Sequence, residues 1–140
     1  MQPRAGQKVK LANGEQVWTA VQLADHKLDF NRVLGDQNDW SVGYAVCYVQ
    51  SDARQTNLLL SVGSDDQAKV YLNGKEVLKN DTARPLMQDE DTAENITLKK
   101  GTNVLVFKVV NEKVDWSGCI RFLNKDGEAV RNFKVTSTPE

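Results

Sequence analysis

The chain holds one histidine, His26, flanked by Asp25 and Asp29. A catalytic base needs a positioned nucleophile and a partner that orients it. There is no Gly-x-Ser-x-Gly elbow, and Cys47 and Cys119 are both far from His26 in sequence. His26 therefore reads as a surface residue. Carboxylates are paired at Asp65-Asp66 and at Asp89 and Asp91. Glycoside hydrolysis needs two carboxyls facing each other across a cleft at a set separation, which adjacent acids in a turn do not supply. Gly-x-x-x-x-Gly-Lys and Gly-x-Gly-x-x-Gly are both missing, so the phosphate-cradling readings fail. Nothing assembles a reaction centre, and the chain is expected not to be an enzyme.

Binding chemistry is better represented. Sugars present apolar C–H faces and hydroxyls, so a sugar site wants a flat ring beside polar side chains. Trp40 follows Asn38-Asp39, and Trp116 follows Asp115; each sets an indole near a carboxylate. Arg84 offers a bidentate donor from a long loop, and Asp66 a further acceptor. The candidate carbohydrate contacts are thus Trp116, Trp40, Arg84, Asp66 and Asp115. The competing reading packs the tryptophans into the core and leaves Arg84 as a solvated charge. Trp18, inside an early strand, is assigned to the core. Asp36, Asp39, Asp89 and Asp91 supply oxygen ligands of the kind a structural calcium takes, without EF-hand spacing. Solvated acidic loops are the alternative there, and no other cofactor is expected. Asn80-Asp81-Thr82 and Asn95-Ile96-Thr97 match glycosylation acceptors, which matter only on a eukaryotic secretory route.

The elements that must hold these residues are strands. Period-two alternation recurs and helical spacing is scarce. The strands expected are 16–22, 41–50, 57–62, 68–72, 75–78, 95–98, 103–111, 119–123 and 130–135. In the stretch 68–78, Asn73-Gly74 sits between two alternating runs, the strongest short-range signal of a two-residue hairpin. The register predicted from it sets Leu72 opposite Lys75, Tyr71 opposite Glu76 and Val70 opposite Val77, with both valines facing the core. Residues 103–111 read as a central strand, apolar on both faces and so expected to be covered on both. In 41–50, Val42, Tyr44, Val46 and Tyr48 oppose Gly43, Ala45, Cys47 and Val49, and periodicity leaves the buried set open. Residues 23–34 carry some helical spacing, but an irregular segment is preferred. The loop 79–94 is long enough to be functional.

The 140 residues suit a single domain with an ordered core at about 16–135, able to bury its core without metals or disulfides. The fold class expected is all-β, an antiparallel β-sandwich. Lys and Arg number 18 against 19 Asp and Glu, a net charge of −1 that makes no electrostatic case for nucleic acid. No run of about 20 apolar residues would span a membrane as a helix. Cys47 and Cys119 match no zinc or redox spacing, and free thiols are expected.

Three blocks carry a family resemblance. They are Val62-Gly63-Ser64-Asp65-Asp66-Gln67-Ala68-Lys69-Val70-Tyr71-Leu72-Asn73-Gly74-Lys75-Glu76-Val77, Leu98-Lys99-Lys100-Gly101-Thr102-Asn103-Val104-Leu105-Val106-Phe107-Lys108-Val109, and, more weakly, Trp116-Ser117-Gly118-Cys119-Ile120-Arg121-Phe122 with Asp126-Gly127. Over 28–135 the chain resembles galactose-binding-like jelly-roll accessory domains of bacterial glycoside hydrolases and carbohydrate esterases. It is similar to the sugar-binding domain of β-galactosidase-type enzymes, where an Asn-Gly hairpin also precedes a Lys-x-Gly-x-Asn turn. The resemblance implies a jelly roll that binds an oligo- or polysaccharide beside a catalytic domain of the same polypeptide, in a secreted, periplasmic or cell-surface protein whose signal lies outside this chain. The alternative it leaves is a structural inter-domain module with no ligand of its own.

Overall fold

Residues 103, 105, 107, 109 and 111 form the spine of the molecule. Asn103, Leu105, Phe107, Val109 and Asn111 are all buried and alternate with half-buried neighbours. In the computed structural model, which describes residues 1–35 and 38–139, this strand runs through the middle of the larger of two packed sheets. The elements in chain order are β1 (Lys8–Leu11), β2 (Gly14–Val17), β3 (Leu28–Asp29), α1 (Phe30–Leu34), β4 (Ser41–Ser51), β5 (Gln55–Asp65), β6 (Ala68–Leu72), β7 (Lys75–Asn80), β8 (Asp91–Leu98), β9 (Gly101–Asn111), β10 (Ser117–Leu123) and β11 (Lys134–Thr136). One sheet is ordered β11-β4-β9-β6-β7 and the other β3-β10-β5-β8, while β1 and β2 pair with each other alone. Every pairing is antiparallel. The fold is an all-β antiparallel sandwich. Its core joins Leu58, Leu60 and Val62 of β5 and Phe122 of β10 to Val70, Leu105, Phe107 and Val109 of the facing sheet.

Packing settles which face of β4 is inside. Gly43 and Val49 are buried and Ala45 and Cys47 half-buried, whereas Val42 and Tyr44 are 48% and 44% exposed. The aromatic rings beneath β4 explain the small inward residues. A Cβ on Gly43 would lie 2.6 Å from the Phe30 ring and 2.7 Å from Trp116. Those two rings stack at 4.9 Å with an 18° interplanar angle. Tyr48 belongs to the outward set and is nonetheless buried, because the N-terminal segment covers it and Pro3 O accepts its hydroxyl at 2.7 Å.

Five local expectations are corrected. The 68–78 hairpin keeps Leu72 opposite Lys75 and Tyr71 opposite Glu76, but a bulge then sets Val70 opposite Leu78. The extra residue hands the core position to Leu78 and leaves Val77 half-buried. The strand expected at 16–22 ends at Val17, as half of a hairpin around Ala12 and Asn13. Trp18, just beyond it, is half-buried and not core. Residues 28–34 are a short strand and one helical turn, capped by the Asp29 carboxylate accepting from Arg32 N at 3.2 Å. The outer face of β9, Val104, Val106 and Lys108, is half-exposed and not covered.

The Lys-x-Gly-x-Asn turn owes its sequence to one amide. Asn103 is wholly buried; it donates to Lys99 O (2.9 Å), Gly101 O and Val49 O (both 3.2 Å) and accepts from Lys99 N at 2.9 Å. The hairpin residue Asn73 donates to the Asn103 Oδ1 and accepts from Val104 N, each at 2.9 Å. One side chain thus ties the β8–β9 turn to β4 and to the β6–β7 turn.

Candidate functional site

Most of the residues expected at a sugar site hold the fold together. Trp116 is 2% exposed; its indole N–H donates to Val109 O at 3.1 Å, and its ring lies under Gly43. It cannot offer a face to a ligand. Asp66 is 7% exposed and clamps two loops, accepting from Arg84 N at 3.0 Å and Glu112 N at 2.8 Å. Arg84 turns back into the protein, donating to Ser64 O at 3.1 Å and Ser64 Oγ at 3.0 Å, and pairing with Asp91 at 2.5 Å. Only Trp40 and Asp115 remain at the surface. The Trp40 ring, 69% exposed, has Lys113 Nζ 5.7 Å from its centroid. A polar or aromatic side chain in a loop reads the same in sequence whether it closes the fold, as Trp116, Asp66 and Arg84 do, or faces water.

The acids suggested for calcium do not converge. Asp89 is held by Arg121, Asp91 by Arg84, and Asp39 accepts from Val114 N at 3.0 Å. Asp36 lies outside the described residues. Among the described residues no three His, Cys, Asp or Glu side chains gather as a metal would require.

The structure instead assembles a cleft of about 230 Å³ on the outer face of the four-stranded sheet. Strand alternation builds its floor. Ser61 of β5 faces Arg121 of β10, and Gly63 faces Cys119, all four on the side away from the core. The segment before β8 closes over this floor and brings Asp89 onto it. A Cβ at Gly63 would come within 2.2 Å of Met87 O, so only glycine lets that segment lie so close. Asp89 adopts a left-handed backbone (φ 60°), which aspartate tolerates better than most residues. The Asp89 carboxylate accepts from Arg121 Nε at 2.8 Å and from an Arg121 terminal nitrogen, and takes a further short hydrogen bond from the Ser61 hydroxyl. His26, Gln88, Arg131, Ala129 and Val130 complete the rim.

Electrostatics follow from these contacts. Hydrogen bonds from Arg121, and then from Ser61, hold the Asp89 carboxyl below the usual aspartate range against the opposing effect of burial. The same bond raises the Arg121 guanidinium further above its ordinary value. Burial pushes the Cys119 thiol up, which makes it a poor nucleophile. The side chains of Arg121 and Asp89 remain 41% and 32% exposed. A fixed donor–acceptor pair is therefore open to a small polar molecule. Of the cleft's residues, the sequence named Asp89 as an acid, His26 as a surface residue and Cys119 as a free thiol, and gave none of them a place in a shared site. Arg121 and Ser61 share a signal in their place on the outward side of alternating strands.

No family model, curated protein or solved structure matches this chain.

Proposed function

We propose that this chain is a non-catalytic carbohydrate-binding accessory module, and that the cleft over Ser61, Arg121 and Asp89 is its sugar site. The observation carrying this reading is the rigid Arg121–Asp89–Ser61 arrangement at the mouth of a small cleft. Each carboxylate oxygen accepts about two hydrogen bonds, and guanidinium offers five N–H groups. Asp89 Oδ2 and the unused Arg121 donors are thus left for adjacent hydroxyls, one giving and one receiving. The volume lies below the roughly 300–1,000 Å³ of drug-sized pockets and suits one ring. The sequence's resemblance to galactose-binding-like jelly-roll accessory domains supports an exported protein with a glycoside hydrolase or carbohydrate esterase domain in the same polypeptide. The module would act by proximity, raising the concentration of that domain on its substrate. Calorimetric titration with plant and animal oligosaccharides tests this. Binding near millimolar Kd is expected, lost in Arg121→Ala and kept in Trp40→Ala. Loss in Trp40→Ala alone would move the site elsewhere.

A structural inter-domain module is the second reading, and the exposed strip of Val42 and Tyr44 beside Trp40 supports it. Lys108 Nζ lies 5.6 Å from the Tyr44 ring centroid, so the strip has a charged border. Under this reading, removing the module lowers the Tm of the adjoining domain and leaves activity on insoluble substrate unchanged.

A further inference from the structure

Resting on the reading of the cleft as a sugar site, we infer that its ligand is an acidic sugar carrying a carboxylate, of the uronic acid class, and that Arg131 reads that charge. The lining holds two guanidinium groups, Arg121 and Arg131, against one carboxylate, Asp89. Asp89 is already matched to Arg121 through both of its oxygens. Arg131 makes no ion pair or hydrogen bond among the described residues. The Arg131 guanidinium therefore stands without a carboxylate partner at the edge of a site whose one carboxylate is already paired with Arg121. Guanidinium is the side chain whose planar fork matches a carboxylate through two parallel hydrogen bonds.

The two arginines divide the recognition. Arg121, held by the Asp89 carboxylate that also takes the Ser61 hydroxyl, cannot swing to a second anion without breaking that pair, so its remaining donors serve the ring hydroxyls. Arg131 is exposed and unheld, and can swing to a carboxylate projecting from the ring. Ala129 and Val130, which precede it, give the ring's C–H face an apolar wall. A neutral hexose would satisfy the hydroxyl contacts and leave Arg131 idle.

The test is an NMR titration of the whole 140-residue chain, following backbone amides and the Arg121 Nε–H resonance. The probes are galacturonic and glucuronic acid, with galactose and glucose as neutral counterparts. The uronates are expected to bind about tenfold more tightly than the neutral sugars at low salt, a preference that shrinks as salt is raised. Arg131→Ala should abolish the preference, bringing uronate affinity down to that of the neutral sugars. Equal affinity for charged and neutral sugars, or a preference that survives Arg131→Ala, overturns the acidic-sugar assignment while the cleft remains a sugar site. If none of the four probes shifts Arg121 Nε–H or the amides of Ser61 and Asp89, the assignment falls together with the reading of the cleft on which it rests.

Discussion

Asp65 and Asp66 show how far a residue's role depends on what surrounds it. Both are buried, and they are adjacent in the chain. Asp66 is fixed by two backbone N–H donors, so the strain of adjacent carboxyls falls on Asp65. Burial, and then the negative charges of Asp66 and Asp115, push the Asp65 carboxyl up to about 6. A folded value above the unfolded one means that the unfolded chain gives up this proton first. Stability linked to Asp65 is therefore full below about pH 4 and declines as pH rises through about 6. Asp65→Asn should raise the Tm well above pH 6, with the gain vanishing under acid; thermal melts across that range check it. Asp89 behaves oppositely: its lowered value makes the Arg121 contact stabilising at neutral pH and lost on acidification. At Asn103 the prediction concerns unmade bonds. Replacing it with leucine strands buried groups of the β8–β9 turn and of Asn73, and should cost about 3 kcal/mol in denaturant unfolding.

Among the elements, the segment before β8 matters most for the cleft. It carries Asp89 to Arg121 only because β5 has no side chain at position 63. Gly63→Ala should lift that segment, lower stability by about 1–3 kcal/mol, and perturb the Arg121 Nε–H resonance by breaking its bond to Asp89. An unchanged Arg121 signal in a folded variant would refute this account of how the cleft is built. The companion case is Gly43 on β4, where the Phe30–Trp116 stack fills the missing side chain's place. The Asn-Gly hairpin was legible because its turn chemistry is local. Its bulge was not, because the choice between Val77 and Leu78 as the core residue is made by the opposing sheet. Asn13-Gly14 is the same dipeptide in another hairpin, where only β1 alternates (Val9 and Leu11) and β2, Gly14–Val17, has a single apolar residue, Val17.

For the molecule as a whole, the thiols give a simple check on the sandwich. Cys47 lies on β4 and Cys119 on β10, in different sheets, and both are free. Burial pushes the Cys47 thiol up to about 11. Tm should be the same with and without reductant, and native-state alkylation at neutral pH should be slow at both positions and fast only after unfolding. A drop in Tm on reduction would reveal a bridge and a different packing of the sheets. The amino-acid sequence by itself determined the antiparallel class, the central place of β9 and most strand positions, since alternation and turn residues act over a few neighbours. The tertiary structure alone decided which set on β4 is buried, that Trp116, Asp66 and Arg84 serve the interior, and that Ser61, Arg121 and Asp89 meet. Those three residues lie far apart in the chain and become neighbours only when β10 pairs with β5 and a glycine lets the next segment close over them. No local pattern records a meeting that depends on where two distant strands lie side by side.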